Sequence, residues 1–119
     1  MGRFFTSLIL IGIISYPALA KSVPEAHKHI IEHISVTAMA AKTCPGMTEN
    51  AVLIVMAAAI HKMDIELLLK SGPYKFLYHQ NLAKHKASIK KHGVDIFCTV
   101  AWMLYGKDGV NVKGLLSKD

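Results

Sequence analysis

The sequence predicts an all-α fold: a small four-helix domain with one disulfide and a short extended C-terminal tail. Three observations carry that expectation. Apolar residues recur at helical spacing in four segments, Gly and Pro punctuate the boundaries between them, and Cys44 and Cys98 are the only cysteines. At 119 residues, 52% apolar and 18% charged, the chain is one domain's worth and too apolar to be a disordered tail.

Residues 1–20 read as an address rather than a helix of the domain. Arg3 supplies a positive start, Phe4 to Ile14 is mostly apolar, Pro17 breaks the run, and Ala18-Leu19-Ala20 fits a signal-peptidase site. The stretch is shorter than the roughly 20 residues that span a bilayer. The expectation is a cleaved secretory signal over 1–20, a single helical domain over 21–119, a periplasmic or secreted product, and no stable membrane insertion after cleavage. Met1-Gly2 and Thr6 also fit a loose myristoylation pattern, but the apolar run behind them favours export.

The first helix starts at Ser22-Val23-Pro24-Glu25, where Ser22 can cap and Glu25 can close a capping box. His27, Ile30, Ile31, Ile34, Ala38 and Ala41 then form one apolar stripe, stopped by Cys44-Pro45-Gly46. A second helix is expected from an N-cap at Thr48, with Met47 and Val52 as its staple, through ten consecutive apolar residues, Ala51 to Ile60. Asp64 and Glu66 make its second half amphipathic, and Gly72-Pro73 ends it. The third begins near Pro73, gathers Tyr74, Leu77, Tyr78, Leu82 and Ile89 on one face, and closes at Gly93. A fourth, from about Asp95 to Tyr105, is nearly all apolar and stops at Gly106. The pattern is amphipathic, buried, amphipathic, buried, because a helix apolar all round belongs inside. Val110 and Val112 alternate with polar neighbours beyond the Lys107-Asp108-Gly109 turn, so the tail is expected to lie extended.

An exported chain with two cysteines is expected to join them. A Cys44–Cys98 bond over 54 residues contributes about 4 kcal/mol by loop-closure entropy. No C-x-x-C occurs, which leaves a thioredoxin-like redox role without support.

The densest chemistry is His27-Lys28-His29-Ile30-Ile31-Glu32-His33. His29 and His33 stand one turn apart on a helix and make a weak two-imidazole metal candidate. His29-Ile30-Ile31-Glu32-His33 also matches H-x-x-E-H, the inverzincin pattern, but that chemistry needs a further ligand and a cleft from a much larger chain. A solvated, histidine-rich helix face is the preferred reading. Lys84, Lys86, Lys90 and Lys91, with His85 and His92, form a basic strip suited to anionic headgroups or an acidic protein. Nucleic acid is not expected outside the cytoplasm. Tyr74, Tyr78, Trp102 and Tyr105 read as core rather than ligand box, and the methionines as core filler. Neither a nucleophile elbow nor a glycine-rich phosphate loop occurs, so no catalytic residue and no cofactor is expected.

Cys98-Thr99-Val100-Ala101-Trp102-Met103-Leu104-Tyr105-Gly106, with Gly109 and Gly114-Leu115-Leu116, resembles the ending of small exported two-cysteine helical proteins of α-proteobacteria. The layout, a leader followed by a helical domain with one disulfide, is similar to periplasmic acid-stress chaperones of the HdeA/HdeB type. The first resemblance implies a compartment and a helical fold without a reaction.

Net charge is +6, or +5 once residues 1–20 are removed with Arg3, so anionic partners are favoured. The function expected is a non-enzymatic protein-binding role in the cell envelope, as an inhibitor, immunity protein or complex subunit. An acid-stress chaperone is the alternative, because seven histidines would add positive charge in acid. Weak metal binding through His27–His33 comes third.

Overall fold

The computed structural model describes residues 23–119, so the expected leader over 1–20 and the Ser22 cap lie outside the described residues. Four helices form: α1 (Glu25–Thr43), α2 (Ala51–Ile60), α3 (Pro73–His92) and α4 (Val94–Tyr105). A short 3-10 turn (Ile65–Leu68) joins α2 to α3. Two three-residue strands, β1 (Met47–Glu49) and β2 (Leu116–Lys118), pair antiparallel with Thr48 opposite Ser117.

α1 is the centre. Pro24 precedes it without a side-chain cap, and its carbonyl accepts from Lys28 N–H at 3.0 Å. Ile30, Ile31, Ile34, Val36 and Ala40 are buried, and so are Ser35 and Thr37. Both hydroxyls are satisfied inside: Ser35 Oγ donates to Glu32 O at 2.8 Å, and Thr37 Oγ1 lies 3.0 Å from His33 O and 3.2 Å from Glu49 Oε2. A buried hydroxyl that finds a carbonyl on its own helix avoids most of its desolvation cost. Helices α2, α3 and α4 and strand β1 all pack around α1.

The expected disulfide is present. Cys44 follows α1, Cys98 lies in α4, and their Cα atoms are 5.7 Å apart. Gly46, in the left-handed region at φ 73°, then turns the chain into β1.

α2 departs from expectation in three ways. Thr48 is a strand residue whose hydroxyl pairs with that of Ser117 at 2.8 Å, and the cap is Asn50, whose side chain accepts from Leu53 N–H. The Met47–Val52 staple is not built, since Met47 is buried and Val52 is 68% exposed. The helix ends at Ile60 in a Schellman motif: Met63 N–H reaches Ala58 O at 2.8 Å and Lys62 N–H reaches Ala59 O at 3.0 Å. Lys62 takes the left-handed position that glycine usually fills, at φ 55°.

The expected burial of α2 and α4 is also corrected. Only Ile54 and Ala58 of α2 are buried, and only Phe97, Ala101 and Tyr105 of α4. So short a chain can surround one helix, and the disulfide and both strands fix α1 in that place. Around it each remaining helix has a core side and an outer side. α3 has no fully buried residue, but Tyr74, Leu77, Tyr78 and Ile89 lean against the core as the sequence anticipates.

α3 and α4 are almost continuous, separated by Gly93 at φ 95°. After α4 the chain folds back, with Val110 N–H and Asn111 N–H donating to Met103 O and Leu104 O. Leu115 and Leu116 then enter the core, and β2 closes on β1 with the Lys118 ammonium 4.5 Å above the Trp102 ring. The tail is extended only at β2: Val110 and Val112, whose alternation suggests an extended run, lie in a bend ahead of the turn at Lys113-Gly114.

Candidate functional site

Residues from α1, α3, α4 and the return loop enclose a cavity of about 340 Å³, toward the lower end of small-molecule sites. Its two walls differ in chemistry. α1 and α3 supply His29, Glu32, His33, His85 and Ser88; α4 supplies Ile96, Phe97, Val100, Ala101 and Leu104. The first wall follows from helical spacing, since positions 29, 32, 33 and 36 of α1 fall on one face. The second is the inner and upper side of α4, and the cavity mouth accounts for the exposure of Ile96 and Val100.

Tyr105 closes one end. Its ring is buried, and its hydroxyl lies 2.8 Å from His33 Nδ1 and accepts from Asn111 Nδ2 at 3.4 Å. Burial raises the Tyr105 phenol above its ordinary pKa, so the hydroxyl keeps its proton. Burial, and then the neighbouring charge of His29, lowers His33, which leaves the imidazole neutral. Asn111 Nδ2 can only donate to Tyr105, and His33 Nδ1 is the acceptor left for the phenol proton among the described residues, so Tyr105 donates to His33 Nδ1 and the His33 proton sits on Nε2.

The other flank is held by His85. Its Nε2 lies 3.2 Å from Ser35 Oγ and 3.4 Å from Glu32 Oε1. Because the Ser35 hydroxyl donates to a carbonyl, His85 is the donor to both. That hydrogen bond is the main cause holding Glu32 below the ordinary carboxylate range, against the opposing effect of burial. Glu32 is thus an ionised carboxylate already matched within the protein.

His29 and His33, the metal candidates, share this cavity wall, with Glu32 and His85 nearby. Among the described residues no group of three or more His, Cys, Asp or Glu side chains converges as a metal would need. His33 Nδ1 is committed to Tyr105, and His85 Nε2 to Glu32 and Ser35. The H-x-x-E-H residues are brought together as a hydrogen-bonded wall.

Lys84, Lys86, Lys90 and Lys91 are all exposed, and none forms an ion pair with a described residue. They divide by helical position: Lys84 and Lys91 flank Ser88 on the cavity side, and Lys86 and Lys90 share another face. Of the four aromatics, Tyr74, Tyr78 and Trp102 are partly buried against the core as expected, whereas Tyr105 also presents its hydroxyl at the cavity wall. No local pattern in the sequence joins Asn111, His85 or Ser88 to His29, Glu32 and His33 around one cavity, because they are far apart in the chain.

A further histidine tie lies outside the cavity. His27 Nδ1 is 2.6 Å from Tyr74 Oη, and its Nε2 is 2.7 Å from His61 O. A wider depression of about 620 Å³ over the start of α3, lined by Lys75, Phe76 and His79, is wide open to solvent and built from one helix and its lead-in.

No known protein family, characterised protein or solved structure matches this chain.

The remaining surface feature is apolar. On α2, Val52, Val55, Met56 and Ile60 are 68%, 55%, 50% and 72% exposed and lie along one side of the helix. No helix of the described residues is long and apolar enough to cross a membrane.

Proposed function

We propose that the chain is an exported, non-enzymatic binding protein that engages a protein partner in the cell envelope through the outer face of α2. The observation that carries this reading is a helix apolar at every position with Ile54 and Ala58 alone fully buried and Leu53 and Ala57 partly so. A contiguous exposed apolar patch is characteristic of an interaction surface. The leader-like residues 1–20 and the Cys44–Cys98 bond support an oxidising compartment outside the cytoplasm. A net charge of +5 after leader removal favours a partner whose apolar patch is ringed by acidic side chains. The exposed Lys86 and Lys90 supply a second anionic contact.

A photocrosslinking residue placed at Val52 and at Ile60 in the living cell tests it. The expected result is one discrete adduct from both positions, lost in a Val55→Asp/Met56→Asp variant that retains its circular dichroism spectrum. An adduct that survives those charges, a self-adduct only, or no adduct at either position removes the reading.

A second reading, an acid-responsive chaperone, is favoured by one feature: His27, His33 and His85 each tie α1 to another element through a hydrogen bond. Circular dichroism and client-aggregation assays between neutral and strongly acid pH decide it. An unchanged fold with no suppression of aggregation in acid ends that alternative.

A further inference from the structure

We propose that the cavity between α1, α3 and α4 is a binding site for a small apolar carboxylate. The apolar body lies against Phe97, Val100 and Ala101, and the carboxylate accepts from His33 Nε2–H. The site is distinct from the α2 face and does not depend on it.

Three observations converge on that ligand. The first is the cavity's asymmetry: apart from Tyr105, which closes one end, α4 contributes apolar side chains, whereas the hydrogen-bonding ones of α1 and α3 line the other wall. A ligand filling it needs one apolar side and one polar end.

The second is the polarity of the Asn111–Tyr105–His33 relay. Because Tyr105 donates to Nδ1, the free ring atom of His33 is a donor. Nε2 has no partner among the described residues, and no fully buried side-chain nitrogen or oxygen there lacks one. Nε2 therefore opens onto accessible space. Among the described residues, His33 also lines an apolar crevice of about 20 Å³, too small for a ligand. The relay fixes the imidazole in position and tautomer, so a ligand acceptor meets a preset N–H.

The third is charge. Glu32 is the sole carboxylate lining the cavity, and His85 already donates to it. Lys84 and Lys91 are exposed cations on the helix face of the cavity residue Ser88, one turn before and after it, and Lys84 is near enough to help lower Glu32. His29, exposed at the same wall, adds a further donor. An uncharged acceptor would use Nε2 alone, whereas a carboxylate also gains the two lysines. A cationic amphiphile would meet the lysines as like charges. Asp95 lies on the outer side of α4 with Thr99 and is not a cavity residue.

The test is an NMR titration of the disulfide-bonded protein with octanoate, read on the histidine ring Cε1–H signals, with octanol and octylammonium as comparators. Saturable shifts of His33 and His85 are expected at submillimolar octanoate, with octanol and octylammonium each about tenfold weaker or more. Ala101→Phe fills the apolar wall and should abolish the shifts. Lys84→Gln/Lys91→Gln, at exposed positions, should weaken octanoate several-fold, leave octanol unchanged and keep the fold intact. The proposal is overturned by an unsaturable response to millimolar octanoate, by equal binding of octanol or octylammonium, or by octanoate affinity indifferent to the lysine changes.

Discussion

Helices α1 and α2 invert the relation between composition and burial. α1 carries three histidines, two glutamates, a serine and two threonines, yet the rest of the fold surrounds it, and Ile31, Ser35, Thr37 and Ala40 are 0% exposed. α2 is apolar at all ten positions and leaves one side in solvent. The difference shows that topology, not hydropathy, decides which helix is central in a chain this short. α1 gains its place from the disulfide at its C-terminal end and from hydroxyls that bond to their own backbone. α2 is cut short by a Schellman turn before it can be wrapped.

The largest effect expected is on the tether that holds α1. Cys44→Ser/Cys98→Ser should cost about 4 kcal/mol in urea unfolding, from the loop-closure entropy of a 54-residue separation. A loss under about 1 kcal/mol would mean that α1 is held in the centre by packing alone.

Next is the direct contrast. Ile31→Ala empties a fully buried site and should cost about 3 kcal/mol. Ile60→Ala, on the exposed side of α2, should cost less than about 0.5 kcal/mol. Equal destabilisation in parallel urea melts would break the comparison.

A smaller effect is expected of Tyr105→Phe, which keeps the buried ring and removes the hydroxyl between Asn111 and His33. A cost of about 1 kcal/mol is expected, with a shift in the His33 ring signals. Unchanged histidine signals would break the relay.

The most gradual effect is on pH dependence. His33 is lowered in the folded protein, so the unfolded chain binds more protons and stability rises with pH. That contribution is complete above about pH 6.5 and is lost as pH falls through the lower folded value. Glu32, also lowered, acts in the same direction below the ordinary carboxylate range. Glu49, raised by burial against its Thr37 hydrogen bond, acts oppositely: it favours the fold in acid and gives that up as pH rises through its raised value. His33→Gln should flatten the decline between neutrality and mildly acid pH in urea melts; a slope identical to the parent would assign the decline to other groups.

Much of the fold was legible because its boundaries are written locally. Pro45-Gly46, Pro73, Gly93 and Gly106 stop or start helices where the sequence places them. The end of α2 was not legible, because Lys62 rather than glycine takes the left-handed position. Nor were the strands, since two runs of three residues pair across nearly seventy positions and leave no alternation to read. For the site, the spacing of His29 and His33 correctly put both on one wall. Their meaning depends on Tyr105, Asn111 and His85, which only the packed helices bring near. The four lysines looked like one strip, but helical rotation sends Lys84 and Lys91 one way and Lys86 and Lys90 the other.

The pairing of β2 with β1 sets the order in which the protein can be finished. Leu116 sits in the core and β2 pairs with β1 across nearly seventy positions, so the central helix, synthesised early, waits for residues translated much later. A polypeptide delivered amino end first cannot lock until Leu116 to Lys118 have cleared the ribosome or translocation pore. Deleting Leu116 to Lys118 would therefore be felt at Met47 and in the seam beside Cys44, in the first half of the domain.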